Sequence, residues 1–409
     1  MMVQRVAIIS VHGCPLARLG EKDTGGMNVY VLELARELAR QGITVDVYTR
    51  VHDPQEPRVV FLQERAQVIH LPAGPYDEGK TGIYGYLSEF LDRILEFQSS
   101  HGLSYEIVHT HYWLSGLVGL DLAARWDVPH ITTFHTLAEV KRRARPGEYE
   151  PDLRAAMEFR ICHEADLIIA FSQHEKESLE RFYHTEPSKI RVVPCGVDSG
   201  RFRPMDRFAA KKALGLEGKK VALFVGRIEP LKGLDLLLQA VAQVEDKEDL
   251  AVLIVGGNPR KDQELERLHA TASSLGLAQT TRFTGTVAHQ ELPTYYNAAE
   301  VLVLPSYYES FGLVALEAMA CGVPVIAARV GGLQYVVREG ETGYLLAWHC
   351  PDIYAERLEV LLNNEDLRQS MGKAARSLAA DQTWGAMAQE LANAYDSLLF
   401  PAQPALCKV

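Results

Sequence analysis

Short apolar strands alternate with amphipathic helical stretches along this 409-residue chain, and this alternation restricts its fold more than any other feature. The run Val6–Ser10 leads through a loop into Asn28–Arg40, where apolar residues recur at the spacing of one helical face. A strand that leads through a helix into the next strand produces a parallel pair. The sequence therefore predicts parallel sheets that are covered by helices on both faces.

The alternation forms two series with a break between them. The predicted strands are Val6–Ser10, Ile43–Thr49, Ile107–Thr110, His130–Phe134, Leu167–Phe171 and Ile190–Val193 in the first series, and Lys220–Val225, Leu250–Val255, Arg282–Gly285, Val301–Pro305 and Val323–Ala327 in the second. Turn residues after Pro194 and a polar stretch near Pro204 separate the series. We predict an α/β chain of two doubly wound, Rossmann-like domains, residues 1–198 and 199–382, facing each other across a cleft. The last predicted helix, 383–399, can pack on either domain.

Composition and charge exclude several classes of protein. The formal net charge of -11 argues against a broad nucleic-acid surface, which needs clustered positive charge. The six cysteines are scattered without a C-x-x-C pair, as in a protein of a reducing compartment. The first apolar run is too short for a signal peptide, and no apolar run is long enough for a transmembrane segment. We expect a cytoplasmic protein, and homo-oligomer formation stays open.

The first loop with chemical potential is Asp23–Asn28 (DTGGMN), which precedes the first long helix. Gly25 and Gly26 allow backbone N–H groups to approach a phosphate closely, and a helix N-terminus favours negative charge. An ordinary glycine turn capped by Asp23 or Thr24 explains the same residues. The loop is not a G-x-G-x-x-G motif, so nothing local favours a nicotinamide dinucleotide.

The second loop, Gly226–Gly233 (GRIEPLKG), lies between a predicted strand and a predicted helix over Gly233–Val244. Arg227 and Lys232 can converge there on a diphosphate through charge-assisted hydrogen bonds. A solvated basic loop is the alternative. The spacing does not match a P-loop.

The third loop, Pro305–Leu313 (PSYYESFGL), runs into a helix that contains Glu317. Glu309 and Glu317 can both face the cleft and accept hydrogen bonds from sugar and ribose hydroxyls. The region of Gly312 offers further N–H groups to a phosphate. Alternatively, Glu317 is simply a carboxylate near the favourable end of a helix.

His135 ends a strand of the first series, and His109, His111 and Tyr112 end the neighbouring strand. His135 can contact a reacting sugar through its ring or its backbone carbonyl, or can be a hydrogen-bonded structural residue. The chain has no H-E-x-x-H motif, no Cys/His quartet and no D-x-D pair, so we expect no metal site. No lysine motif suggests a pyridoxal group, and no other cofactor is expected.

Taken together, these loops resemble the retaining glycosyltransferases of family 4, which have the two-domain GT-B fold. The most specific matches are Gly226–Gly233 and Glu309–Glu317, the E-x7-E signature of that family. The resemblance implies that Arg227 and Lys232 bind the donor diphosphate, Glu317 the ribose and Glu309 the transferred sugar. It further implies that Gly25 and Gly26 close over the phosphates, that His135 lies beside the anomeric carbon, and that Ser310, Phe311, Gly312 and Leu313 help to bind the donor.

Within the family, the first half is most similar to the inositol-phosphate glycosyltransferases of mycothiol synthesis. The segments that carry this similarity are Gly25–Val31, His111–Gly116 and His135–Lys141. The resemblance implies that the acceptor phosphate contacts Lys80, Tyr112, Thr136 and Arg154, with Asn28 and Lys141 nearby. Sucrose-phosphate synthases are near relatives, but they usually carry other residues at Met27 and at Phe134–Thr136.

The function expected from this resemblance is transfer of a sugar, with retention of configuration, from a nucleoside-diphosphate sugar to a phosphorylated small molecule. UDP-GlcNAc or UDP-glucose is the favoured donor, and inositol 1-phosphate is the favoured acceptor. Transfer of glucose to fructose 6-phosphate is one alternative. A non-catalytic clamp of two domains that closes on a small molecule is an alternative of another class.

Overall fold

The protein is described by a computed structural model that covers residues 3–17, 24–257 and 263–400. The strands are β1 (Arg5–Ile9), β2 (Thr44–Arg50), β3 (Val59–Gln63), β4 (Ala66–Leu71), β5 (Ile107–His111), β6 (His130–Thr133), β7 (Leu167–Ala170), β8 (Ile190–Val192), β9 (Lys220–Val225), β10 (Leu250–Val255), β11 (Thr281–Gly285), β12 (Val301–Leu304), β13 (Val325–Ala328) and β14 (Gly343–Leu346). The helices are α1 (Gly26–Arg40), α2 (Lys80–Ile83), α3 (Leu87–Ser100), α4 (Trp113–Trp126), α5 (Ala138–Ala144), α6 (Asp152–Glu164), α7 (Gln173–Tyr183), α8 (Arg207–Leu214), α9 (Leu234–Gln243), α10 (Gln263–Ser274), α11 (Leu292–Ala298), α12 (Leu313–Ala320), α13 (Leu333–Val336), α14 (Pro351–Asn363), α15 (Glu365–Ala380) and α16 (Trp384–Leu399).

These elements form two separate sheets. The first has the order β3-β4-β2-β1-β5-β6-β7-β8, and the second has the order β11-β10-β9-β12-β13-β14. The strand order reverses beside β1 in the first sheet and beside β9 in the second, as in doubly wound folds. Both sheets are buried by helices on their two faces, which confirms the predicted class of two Rossmann-like α/β domains. The exact domain boundary stays a prediction.

The predicted strands agree with the observed ones to within two residues at each end, but the structure also has a hairpin and an edge strand that were not predicted. β3 pairs with β4 in the antiparallel direction, so the first sheet is not wholly parallel. β14 extends the second sheet beside β13. The apolar, mostly buried residues of β4 carry a readable strand signal. β3 is half-exposed and lacks the buried apolar pattern of the other strands.

The C-terminal helix α16 packs against the first domain. Trp384 meets Tyr30 of α1 edge-on with ring centroids 6.0 Å apart, and Tyr395 Oη lies 2.7 Å from Nδ1 of His109 in β5. The backbone N–H of Val3 donates a 2.8 Å hydrogen bond to Asp396. The sequence left open on which domain this helix packs, and the structure shows that it packs on the first. Within the described ranges, every helix is too short or too polar to cross a membrane.

Candidate active site

Loops that follow β1, β5, β6, β9 and β12 meet between the two sheets, where the strand orders reverse. They enclose two adjoining cavities of about 240 and 200 Å³, which we call the cleft. Side chains that line both cavities are Lys80, Tyr112, Thr136, Arg227, Lys232, Glu309 and Ser310. Every predicted site residue except Glu317 lines the cleft.

Arg227 and Lys232 lie on the side of the cleft that belongs to the second sheet. Nζ of Lys232 donates a 2.6 Å hydrogen bond to Oε2 of Glu309, and the Arg227 guanidinium lies 3.1 Å from Glu229. Each cation therefore has one carboxylate partner at the surface of the cleft. Charge-assisted hydrogen bonds of this kind are exchangeable for bonds to a phosphate oxygen.

Two glycines allow these loops to come together. Gly233, directly after Lys232, has a φ of +69°, and a β-carbon there would lie 2.1 Å from the Pro305 carbonyl oxygen at the end of β12. Gly312 has a φ of +102° and immediately precedes α12. The first turn of α12, whose backbone N–H groups have no partner within the helix, therefore begins at the cleft, which Gly312 and Leu313 line.

The glycine turn of the first domain approaches this loop cluster directly. A β-carbon on Gly25 would lie 3.7 Å from Nε of Arg227, and one on Gly26 would lie 3.2 Å from Cδ1 of Leu313. The N-termini of α1 and α12 thus converge from opposite domains. Asn28 fixes the turn, because its Oδ1 accepts a 3.0 Å hydrogen bond from the Gly25 N–H. Asp23 lies outside the described residues.

Arg154 is buried on the other side of the cleft and organises its neighbours. Its Nη2 donates to the carbonyl and to Oγ1 of Thr136 at 2.7 and 2.9 Å, and its Nε donates to Glu158 at 2.7 Å. The guanidinium lies 4.8 Å from the Tyr112 ring centroid, and Nζ of Lys80 lies 5.8 Å from the same centroid. The structure therefore brings together the four residues that the resemblance assigned to one acceptor phosphate.

Charge in this region is positive although the chain is acidic. Glu150 pairs with both Lys141 and Arg154. Burial by itself lowers the pKa of Arg154. The groups around it, the carboxylate of Glu158 first among them, together raise this pKa by a larger amount, so the net shift is upward and the guanidinium stays charged. The larger cavity has five cationic side chains, Lys80, Lys141, Arg154, Arg227 and Lys232, against three carboxylates. This excess favours a polyanionic ligand.

His135 lies between the two sides in a neutral, buried environment. Its φ of +61° and the φ of +75° at Tyr112 are uncommon for residues other than glycine, and such conformations cluster at functional sites. Nε2 of His135 lies 2.9 Å from Nδ1 of His111. Burial lowers the pKa of both imidazoles well below the usual value, so neither ring carries a positive charge at neutral pH.

Glu317 was expected to face the cleft together with Glu309, but in the structure it does not line the cleft. Its Oε2 accepts a 2.7 Å hydrogen bond from Tyr296 Oη, and its Oε1 lies 2.7 Å from Nε2 of His289. Nη1 of Arg201 can only donate to Nδ1 of His289, 3.0 Å away, so Nε2 carries the proton that bonds Glu317. His289 lines a separate cavity of about 600 Å³ between the domains.

Tyr308, for which the sequence predicted no role, lines the cleft and connects the domains. Its hydroxyl accepts a 3.4 Å hydrogen bond from the backbone N–H of Leu137. Glu150 and Glu229 were also not identified, although they are the partners of predicted cations. Glu229 and Tyr308 lie within the loops that the sequence singled out, but nothing in a loop sequence shows which side chain will pair with which.

Two Rossmann-like domains with a cationic cleft at their strand-order reversals define the GT-B class of glycosyltransferases. The family model for Glycosyltransferase Family 4 matches residues 24–201, and the model for Glycosyl transferases group 1 matches residues 206–378. The chain belongs to glycosyltransferase family 4 and is a glycosyltransferase.

Relatives match over almost the whole chain. A D-inositol 3-phosphate glycosyltransferase from Corynebacterium jeikeium is 43% identical over 405 residues, covering 96% of this chain and 97% of the relative. One from Corynebacterium diphtheriae is 40% identical, covering 97% and 95%. Among solved structures, sucrose-phosphate synthase from Thermosynechococcus elongatus superposes with a TM-score of 0.91 at 34% identity, covering 97% of this chain and 99% of that one.

Proposed function

We propose that this glycosyltransferase transfers a sugar from a UDP-sugar, UDP-GlcNAc or UDP-glucose, to a phosphorylated polyol of the inositol phosphate class, with retention of anomeric configuration. The observation that carries the proposal is the composition of the cleft. Lys80, Tyr112, Thr136 and Arg154 line the same cavity as Arg227 and Lys232. A phosphorylated acceptor and a donor diphosphate are therefore accommodated side by side.

The donor side supplies positive charge where the leaving diphosphate develops negative charge. Arg227 and Lys232 exchange their carboxylate partners for phosphate oxygens, and the first N–H groups of α12 add a helix dipole. Release of Glu309 from Lys232 makes its carboxylate available to hydroxyls of the transferred sugar. Glu317 is proposed to hold the ribose after exchange of its bond with His289.

The acceptor side recognises a phosphate by charge and fixes it by hydrogen bonds. Lys80 and Arg154 flank the Tyr112 ring, and the Thr136 hydroxyl is already oriented by Arg154. A phosphate bound here lies opposite the donor cations across one cavity. The binding energy of this remote group can then orient the reacting hydroxyl at the anomeric carbon.

In the proposed reaction, the acceptor hydroxyl oxygen bonds to the anomeric carbon on the face from which the UDP oxygen departs. The hydroxyl proton passes to the departing phosphate, so UDP leaves with both bonding electrons and configuration is retained. The neutral imidazole of His135 does not act as an acid; its backbone carbonyl or its ring contacts the sugar. The fixed cations of this chain carry out the charge neutralisation, and no divalent ion is needed for it.

Transfer of glucose to fructose 6-phosphate is the second candidate, supported by the similarity to sucrose-phosphate synthase. Both acceptors present a phosphate on a polyol, so the phosphate-binding residues suit either. Met27 is one difference from the synthase pattern: it lines the cleft, and its Cε occupies the space beside Gly13.

The deciding experiment combines UDP-, ADP- and GDP-sugars with inositol 1-phosphate, inositol 3-phosphate, fructose 6-phosphate and unphosphorylated inositol. Released nucleoside diphosphate measures turnover, and the anomeric coupling constant of the product in NMR measures configuration. We expect the highest kcat/KM for a UDP-sugar with an inositol phosphate, and an α-linked product from an α-linked donor. Preference for fructose 6-phosphate supports the second candidate, whereas equal rates with unphosphorylated inositol contradict the assigned phosphate site.

A further inference from the structure

Three metal-ligating side chains meet behind the glycine turn, outside the residues assigned to donor and acceptor. Cys14 follows β1, Glu56 lies in the turn after β2, and His70 belongs to β4. One ligand atom from each lies within 4.8 Å of the other two, and Sγ of Cys14 is 3.3 Å from Nε2 of His70. Cys14 and His70 are buried, and Glu56 is half-buried. The set is assembled by neighbouring strands of the first sheet.

The imidazole of His70 is oriented as in a metal-ligating histidine. Its Nδ1 lies 2.8 Å from the carbonyl oxygen of Pro57, which can only accept, so Nδ1 carries the proton. Nε2 therefore presents its lone pair towards Cys14. A backbone carbonyl that fixes the tautomer in this way is one of the common outer partners of a metal-bound histidine.

The carboxylate of Glu56 is also held in place. Its Oε2 accepts hydrogen bonds from the backbone N–H groups of His52 at 2.8 Å and Asp53 at 3.4 Å. Its second oxygen remains for another partner. A divalent cation between them would offset the repulsion between this carboxylate and the thiolate that Cys14 forms on metal binding.

We propose that Cys14, Glu56 and His70 bind a divalent ion of the Zn²⁺ type. A thiolate, an imidazole and a carboxylate form a ligand set that suits Zn²⁺, whereas Mg²⁺ and Ca²⁺ prefer oxygen atoms alone. Cys14 and Glu56 line a cavity of about 530 Å³, which provides an entry path and space for water as a fourth ligand. On binding, a Zn²⁺–sulfur bond replaces the sulfur–hydrogen bond, and the proton passes to solvent.

The site is proposed to position the glycine turn and to take no part in the chemical step. The carbonyl of Cys14 accepts a 2.7 Å hydrogen bond from Nδ2 of Asn28, and Oδ1 of Asn28 accepts from the Gly25 N–H. A metal that fixes Cys14 therefore stabilises the turn that approaches Arg227. This departs from the sequence-based expectation of no metal site, because the three ligands are far apart in the chain.

Co²⁺ is the spectroscopic probe for the test. The full-length protein is stripped with a chelator and titrated with Co²⁺, and Zn²⁺ is then added as a competitor. We expect one equivalent of Co²⁺ to bind with a thiolate-to-cobalt charge-transfer band, and Zn²⁺ to abolish the band. Zn²⁺ should raise the thermal unfolding midpoint by a few degrees. Absence of stoichiometric binding overturns the proposal and indicates that Cys14 and His70 share only a thiol hydrogen bond.

Variants identify the ligands. Cys14→Ser should lose the charge-transfer band, and Glu56→Gln and His70→Ala should weaken Co²⁺ binding by about tenfold or more. Cys350 is a half-buried cysteine of the second domain. Cys350→Ser is therefore the matched control, and its Co²⁺ titration should equal that of the wild type. A band that persists in Cys14→Ser overturns the assignment. If circular dichroism shows Cys14→Ser to be unfolded, the other two titrations decide. No sugar substrate is involved, so Lys232→Ala must bind Co²⁺ normally whatever its turnover.

Discussion

Nζ of Lys232 lies 2.6 Å from Oε2 of Glu309, although 77 residues separate them in the chain. The pair joins the loop after β9 to the loop after β12, at the strand-order reversal of the second sheet. Both side chains are mostly shielded, with 15% and 20% of their surface exposed. A diphosphate that binds Lys232 must compete with Glu309, so donor binding and release of this carboxylate are coupled.

Lys232→Ala should lower kcat by about 10²- to 10³-fold, because one preorganised positive charge at the leaving group is lost. Initial rates of UDP release with saturating acceptor measure the effect. Lys212→Ala, which removes an exposed lysine from α8, is the control and should leave the rate unchanged. Full kcat in Lys232→Ala would show that the diphosphate assignment is wrong.

Thr136→Val should raise the KM for the phosphorylated acceptor by about 10-fold, because a hydrogen bond to a charged group is removed while side-chain volume is kept. The KM for the donor, and slow donor hydrolysis without acceptor, should stay unchanged. Steady-state kinetics with each substrate varied in turn separate the two constants. An equal rise in both constants would contradict an acceptor-specific role for Thr136.

Turnover should not require Mg²⁺, because Arg227 and Lys232 supply the charge that a divalent ion would otherwise supply. Protein treated with EDTA, measured before and after addition of excess Mg²⁺, should give values of kcat that agree within about twofold. Both measurements start from the same treated protein, so Zn²⁺ at Cys14 does not enter the comparison. A large recovery of activity with Mg²⁺ would contradict the proposed charge neutralisation.

Glu175 should make the protein less stable as the pH rises. Burial raises its pKa from 4.5 to about 7, although the Phe171 N–H donates a 2.7 Å hydrogen bond to the carboxylate. The folded state therefore holds a proton that the unfolded state has lost. This contribution to stability is complete below pH 4.5 and is lost as the pH rises through about 7.

Glu175→Gln keeps the hydrogen-bond acceptor and removes the titration. Relative to the wild type, the free energy of unfolding of Glu175→Gln should rise by about 2 kcal/mol between pH 5.5 and pH 8. Urea unfolding at both values measures this difference. Glu390→Gln, on the exposed face of α16, should show no such trend. A difference that is independent of pH for Glu175→Gln would refute the argument.

Trp384→Ala should destabilise the protein by about 3–5 kcal/mol, because it leaves a cavity between α16 and α1. Trp384 is 5% exposed and contacts Tyr30. Trp348, 72% exposed, provides the matched control, and Trp348→Ala should change the free energy of unfolding by less than about 0.5 kcal/mol. Equal effects of the two substitutions would contradict the packing of α16 on the first domain.

The sequence by itself determined the two doubly wound domains and several of the loops that line the cleft. Buried parallel strands require near-continuous apolar runs, and these runs are visible without a structure. Polar residues in the loops that follow such runs, such as Arg227 and Glu309, are expected at the carboxyl edge of the sheet. The resemblance to a family then assigned Lys80 and Arg154, whose roles no local pattern reveals.

Only the tertiary structure decided which side chains become partners. The pairing of Lys232 with Glu309, the return of α16 to α1, and the engagement of Glu317 by Tyr296 all join residues that are distant in the chain. The same holds for Cys14 and His70. Local periodicity records which face of an element is buried, but contacts between elements depend on strand order and loop approach, which arise only when the whole chain is packed.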